Sequence, residues 1–393
     1  MINLRQALSL GSRRGGWQKF LRALERDRAG DAGSGSTRLR EGFGFGSNPG
    51  NLRMFVHRPP TLADNPALVV VLHGCTQTAA GYDLGAGWST LADRYGFALL
   101  LPEQQRSNNP NGCFNWFQPE HSRRNQGEPL SIRQMIEKSI VDYGIDRRRI
   151  FITGLSAGGA MTSNMLACYP EVFAGGAIVA GLPFGAATNV QQAFESMFQS
   201  PSRPAREWGD LVRKASSHRG PWPRISIWHG NVDKTVIPSN ALEIQKQWTE
   251  VHGLPLSPSL KTRIDGFPRE VWINEAGDEL VEKYTITNMA HGTPLAIGEA
   301  EGACGAPGPF LLQVGISSSY HIAKFFGIAG ARAPAERNLV KFSAAPRHYA
   351  AAEPVLEGEV LDREDKAIPS MPPLPEIGAV INKALRAAGL IKD

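Results

Sequence analysis

The pentapeptide Gly154-Leu155-Ser156-Ala157-Gly158 follows directly on the apolar run Ile150-Phe151-Ile152-Thr153. A strand that feeds through Gly-x-Ser-x-Gly into a helix makes a sharp turn that lifts the serine oxygen clear of the backbone. Glycine at the flanking positions leaves room for strand, turn and helix to close on one another. A serine hydroxyl is a weak nucleophile at its ordinary pKa. It needs a base, a group that orients the base, and a site for the negative oxygen that develops on the substrate. The chain contains 42 glycines, so the pentapeptide gains weight only from its context.

In arrangements of this kind the acid and then the base follow the serine along the chain. Ile225-Ser226-Ile227-Trp228 reads as a strand, and His229-Gly230-Asn231-Val232-Asp233 as the turn at its end, which makes Asp233 the expected acid. Its competitors are placed less well: Asp210 in a helical stretch, Asp265 in a loop with no preceding strand, Asp278 in a hairpin turn. The strand Val281–Thr287 runs into Asn288-Met289-Ala290-His291-Gly292-Thr293, and His291 is the expected base. His229 lies in the acid's own turn, His252 at a helix-to-loop junction and His321 at a helix start. Two backbone N–H groups are needed for the oxyanion. One is Ala157, at a helix N-terminus where unpaired N–H groups and the dipole favour negative charge. The other is Cys75, in the turn His73-Gly74-Cys75-Thr76-Gln77. The chemistry these residues predict is acyl transfer through a serine ester, with neither metal nor cofactor.

The elements that must position them alternate between about 51 and 330. Met54–His57, Ala67–Leu72, Phe97–Leu101, Ile150–Thr153, Ala177–Ala180 and Ile225–Trp228 read as strands. Trp88–Tyr95, Ser131–Tyr143, Ala157–Cys168 and His321–Phe326 read as helices, and Val271–Ile273 with Val281–Thr287 as a hairpin. Continuous apolar strands such as Ala-Leu-Val-Val-Val-Leu suit a sheet covered on both faces. The class predicted is α/β, a mostly parallel sheet with helices on both sides forming one catalytic domain. Residues 185–224 interrupt the rhythm with two short helical pieces, either a surface excursion or a wall over the substrate cleft.

The ends read differently. Residues 1–50 are expected to hold a basic amphipathic helix over 1–28 and a Gly/Ser linker over 29–50; 331–393 form an Ala/Pro-rich tail with a helix near 376–389. Residues 1–40 carry eight Arg and one Lys against three acidic residues, so that of the net +5 the rest of the chain carries −1. The main domain thus shows no charge footprint for nucleic acid. The basic helix is a solvated extension or a contact to an anionic surface, a membrane or a partner. No signal-peptide core and no membrane span are read from the sequence. The cysteines, Cys75, Cys113, Cys168 and Cys304, lack zinc spacing; their number fits two disulfides or four buried thiols.

His73-Gly74-Cys75-Thr76-Gln77, Cys113-Phe114-Asn115-Trp116-Phe117, Gly154-Leu155-Ser156-Ala157-Gly158-Gly159-Ala160-Met161, His229-Gly230-Asn231-Val232-Asp233 and Ala290-His291-Gly292-Thr293-Pro294 together resemble the polyhydroxybutyrate (PHB) depolymerase family of esterases. This is its type-one catalytic domain, related to feruloyl and acetylxylan esterases, and the resemblance covers roughly 51–330. It implies an α/β-hydrolase fold, a Cys75–Cys113 disulfide, and Asn115 and Trp116 lining the cleft, with a core tryptophan as the alternative for Trp116. Cys168–Cys304 is a weaker expectation. An extracellular or periplasmic location is implied, with the cytoplasm as alternative. The function implied is a serine carboxylic-ester hydrolase acting on short 3-hydroxyalkanoate oligomers or similar small esters. A feruloyl or acetylxylan esterase is the alternative, with an acyltransferase or a non-catalytic docking protein behind it.

Overall fold

The computed structural model describes residues 38–330. The expected N-terminal helix, the first part of the linker and the tail helix lie outside the described residues. Ten strands form one sheet in the order β1-β2-β4-β3-β5-β6-β7-β10-β9-β8. They are β1 (Arg40–Gly42), β2 (Arg53–His57), β3 (Leu68–Leu72), β4 (Ala98–Glu103), β5 (Ile150–Leu155), β6 (Gly175–Val179), β7 (Arg224–Gly230), β8 (Leu260–Ile264), β9 (Phe267–Ile273) and β10 (Glu279–Ile286). From β4 across to β10 every neighbour is parallel. The pairs at both edges, β1 with β2 and β9 with β8, are antiparallel, as are their joins to β4 and β10. A small parallel pair, β11 (Thr293–Leu295) with β12 (Leu311–Gln313), stands apart. This is an α/β-hydrolase architecture.

Side chains alternate across the pleat, and each face of the sheet carries its own core. Leu68, Val70, Leu72, Ile150 and Ile152 face one side, under α3 (Gly127–Tyr143), α4 (Ala157–Cys168), α6 (Ala205–Ala215) and α7 (Ser239–Val251). Val69, Val71, Leu99, Phe151 and Leu155 face the other, under α1 (Ala79–Ala86), α2 (Trp88–Tyr95) and α8 (Ser318–Phe325). Fully burying each such side chain is worth about 2 kcal/mol, so central strands such as β3 are apolar on both faces and show no polar alternation.

The excursion over 185–224 contains α5 (Val190–Gln199) and α6. Trp208 of α6 is fully buried and donates Nε1–H to Glu243 of α7 at 2.6 Å. Asn240 and Ile237 donate to the last turn of α5, so this segment abuts the chain just after Asp233. Residues 38–50 do not behave as linker. Arg40–Gly42 pairs with Met54–Val56, and the Arg53–Glu41 ion pair reinforces that edge. An exposed edge strand of Arg-Glu-Gly carries no apolar alternation by which sequence could reveal it. Among the described residues no helix is long and apolar enough to cross a membrane.

The chain leaves β3 toward β4 on one side and then crosses back to β5 on the other. Crevices for ligands form at the carboxyl ends of strands where the winding reverses in this way. Here the first turn of α4 closes tightly on the end of β3. A Cβ on Gly158 would stand 2.3 Å from Leu72 O and 2.5 Å from His73 O, against backbone that has nowhere to move. Gly158→Ala is therefore expected to cost at least about 3 kcal/mol, read from the urea-unfolding midpoint. An unchanged midpoint would show that this approach is not a constraint.

Candidate active site

Ser156 sits between β5 and α4 with φ 56° and ψ −115°, a conformation that strains a residue with a Cβ. Such strain costs of order 1–3 kcal/mol and persists only where the surroundings impose it. They do so here: Ser156 N donates to Val179 O at 2.9 Å, and Ala160 N donates to Ser156 O at 2.9 Å. Gly154 has the same need as Gly158, since a Cβ there would meet Gly158 O at 2.4 Å. Both glycines of the pentapeptide are thus fixed by backbone contact, and the serine side chain is left half-buried at the turn.

The tight Gly158 approach lays the turn after β3 beside the first turn of α4. Among the described residues neither Cys75 N nor Ala157 N donates to a protein acceptor. The turn is otherwise well bonded. Thr76 N donates to Asn111 O at 2.7 Å and Gly74 N to Gln77 Oε1 at 2.9 Å. A disulfide joins Cys75 to Cys113 with a Cα–Cα separation of 4.2 Å. His73 is fully enclosed. Its Nε2 accepts the Gln104 N–H at 3.1 Å, so Nδ1 carries the proton and donates to Gly74 O at 2.7 Å. Burial lowers the imidazole to about 4, which keeps the ring neutral.

Asp233 stands at the end of β7 and His291 beyond β10, and these two strands are parallel neighbours. Their loops are laced together. Asn231 N donates to Ile286 O, Val232 N to Met289 O, and Asn288 N to Asn231 Oδ1. Asp233 Oδ2 accepts from His291 Nδ1 at 2.7 Å, and Oδ1 accepts Thr235 N and Val236 N at 2.8 and 3.0 Å. Burial by itself would raise this carboxyl. The facing His291 charge and hydrogen bonds from His229 and His291 outweigh burial and hold it well below the usual carboxylate range. Nδ1 of His291 is committed to the carboxylate, which leaves Nε2 to serve as an acceptor. The Ser156 hydroxyl makes no hydrogen bond to His291 among the described residues; in unliganded enzymes such contacts are often long and tighten when substrate arrives.

The competing residues have other partners. Asp210 pairs with Arg213, Asp265 with His321, and His252 bonds Pro223 O. His229 contributes to the acid turn: its Nε2 donates to Val236 O at 2.8 Å and lies 3.4 Å from Asp233 Oδ2. Sequence placed His229 in that turn without giving it this function.

Two expectations need correction. Asn115 does not face a ligand. It is buried, its Oδ1 accepts from Asn109 and Gln118, and its amide donates to Glu128. Its neighbour Trp116 is 6% exposed and lies in the core, edge-on to Phe117. Cys168 and Cys304 are not paired; both are buried free thiols on opposite faces of the sheet. The residue that sequence reasoning missed is Glu128, a buried carboxylate in the first turn of α3. Its partners lie 13 and 24 residues away in sequence, so no local pattern points to it.

Comparison with known proteins identifies the family of the chain. The profile of a family described as Esterase PHB depolymerase matches residues 53–266, which includes Ser156 and Asp233 and stops short of His291. A poly(3-hydroxyalkanoate) depolymerase C of Paucimonas lemoignei is 48% identical over 287 residues, 73% of this chain and 69% of that protein. A feruloyl esterase B of Neurospora crassa is 32% identical over 266 residues, 65% of this chain and 88% of that protein. The solved structure of an acetyl xylan esterase from Aspergillus awamori superposes with a TM-score of 0.63 at 27% identity, covering 74% of this chain and 99% of that one.

The neutral His73 has a measurable consequence. In the unfolded chain its imidazole takes a proton near pH 6.5, whereas in the folded protein it does so only near 4. Between these values the unfolded state binds more protons, so stability falls as the pH drops. Relative to His73→Asn, the protein is expected to lose roughly 3 kcal/mol of unfolding free energy between pH 6.5 and 4. Parallel urea titrations across that window check it, and equal slopes would contradict it.

Proposed function

Because the chain belongs to the esterase PHB depolymerase family and is by that membership an ester hydrolase, we propose that Ser156, His291 and Asp233 form its catalytic triad. In this reading His291 Nε2 removes the proton from Ser156 Oγ as the oxygen attacks the ester carbonyl. Asp233 holds the imidazole in the Nδ1–H tautomer and stabilises its cation. The N–H groups of Cys75 and Ala157 bind the oxyanion of the tetrahedral intermediate. Collapse breaks the bond to the alcohol, which leaves with the proton from His291. Water then attacks the acyl-enzyme by the reverse sequence. The observation that carries this reading is the buried 2.7 Å bond from His291 Nδ1 to Asp233 Oδ2, at the same sheet edge as the strained Ser156.

The substrate class favoured is a short 3-hydroxyalkanoate oligomer, since the 48% identity to a poly(3-hydroxyalkanoate) depolymerase exceeds the 32% to a feruloyl esterase. An acetylxylan esterase is the second reading, supported by the superposition that covers 99% of that enzyme. The Cys75–Cys113 disulfide favours an oxidising compartment outside the cytosol.

Ser156→Ala is expected to lower kcat by about 10⁴-fold or more, and Asp233→Asn by about 10⁴-fold. A fluorophosphonate should label Ser156 in the parent and nothing in Ser156→Ala, as mapped by peptide mass spectrometry. Labelling at a different serine would reject the triad. Rates on hydroxybutyrate oligomers, acetylated xylan and methyl ferulate decide the substrate, and a preference for either of the last two would reject the oligomer.

A further inference from the structure

The turn that carries Cys75 is held by more than its disulfide. Gln104, the residue after β4, donates its backbone N–H to His73 Nε2 and its side-chain amide to Cys113 O, both at 3.1 Å. The same amide donates to Glu128 Oε1 at 2.6 Å. Glu128 further accepts Asn115 N at Oε2 (2.9 Å) and Asn115 Nδ2 at Oε1 (2.8 Å). The Gln104 side-chain oxygen Oε1 is used as well, accepting from Gln105 N and Asn108 Nδ2.

The carboxylate is completely enclosed. Gly50 covers the helix start so closely that a Cβ there would lie 2.6 Å from Glu128 Cα. Among the described residues the one titratable neighbour bonded to this residue is His121, whose Nδ1 accepts the Glu128 backbone N–H at 3.2 Å and therefore has no proton for the carboxylate 3.7 Å away. Burial raises the Glu128 carboxyl to about 7. Three N–H groups converge on its two oxygens, which matches the acceptor-only character of an ionised carboxylate. A buried ion costs more than apolar filler of the same shape. Simple packing of this site would be better served by an apolar residue.

We propose that Glu128 is a positioning residue for the oxyanion turn. It fixes Gln104 and Asn115, and through them His73, Cys113 and the disulfide-linked Cys75, whose N–H is thereby held in register with that of Ala157. The proposal rests on the oxyanion function given to Cys75 above. It goes further in making a carboxylate outside the triad part of the catalytic geometry. An oxyanion donor is effective only at a well-defined position, and displacement by about 1 Å costs up to about 100-fold.

The test uses Glu128→Gln, which keeps the side-chain volume, and Gln104→Leu, which cuts the link from the other end. Rates are normalised to sites titrated with a fluorophosphonate, so that unfolded protein does not count. Both variants are expected to lose about 10- to 100-fold in kcat with KM changed less than twofold. The Ki of a trifluoromethyl ketone, whose serine hemiketal carries the oxyanion, should rise by the same factor. The double variant should be no worse than the poorer single one, as for two members of one chain of contacts. Parent-like kcat and Ki per titrated site, with only the melting temperature lowered, would overturn the proposal and leave Glu128 as a purely structural residue. Additive losses would do the same for the route through Gln104. Hydrolysis that survives Ser156→Ala would instead remove the underlying reading of the site, an outcome these normalised comparisons keep separate.

Discussion

Everything at the sheet's carboxyl edge depends on one backbone approach, Gly158 against the carbonyls of Leu72 and His73. It is made where the winding order reverses between β3 and β5. A side chain at 158 would push α4 off β3 and carry Ala157 away from Cys75. The same closeness holds Ser156 at positive φ, because strand, turn and helix cannot relax together. Hydrophobic burial supplies the force and the glycines supply the space. The strained serine follows from both.

Charge is managed in three different ways around this point. Asp233 is buried but stays ionised, since two backbone N–H groups and a histidine satisfy its oxygens. His73 is buried and neutral, with both ring nitrogens bonded to backbone. Glu128 is buried with three N–H donors and, among the described residues, no lysine or arginine paired with it. Only the first belongs to the proposed triad. The other two hold the turn beside them, and each needs several hydrogen bonds because an unsatisfied polar group there would cost about 1–3 kcal/mol.

How much of this can be read from sequence depends on whether the signal is local. Trp88–Tyr95 and Ala157–Cys168 are legible to the residue, the first between two glycines and the second opened by the Gly-x-Ser-x-Gly turn. The Asp233 and His291 turns are legible because each directly follows a segment that reads as a strand. Ser239–Val251 escapes notice because it buries Asn240, Gln247 and Thr249 beside Ile244 and Trp248, which dilutes the apolar period. Ala79–Ala86 is masked by Gly81 and Gly85, and Leu260–Ile264 by its exposed Lys and Arg. The motif Cys113-Phe114-Asn115-Trp116-Phe117 suggests a ligand-facing loop, yet a motif cannot say which way a side chain turns. Asn115 turns inward because Glu128 needs its donors. That need is created by tertiary burial, and nothing within a few residues of either position encodes it.

The Cys75 turn therefore has two tethers that act on different quantities. The disulfide closes a loop with a sequence separation of 38. Chain-entropy arguments give such a closure about 4 kcal/mol, exerted largely by restricting the unfolded ensemble. A covalent link at one Cα still leaves the peptide plane of Cys75 free to rotate, and an oxyanion donor is useful only with its N–H aimed. The bonds from Gln104 to His73, and from His73 to Gly74 O, act on the adjoining peptide planes, whereas the disulfide does not. Stability and orientation are thus supplied by separate devices. A fold needing only stability at this turn would have no use for an enclosed carboxylate behind it.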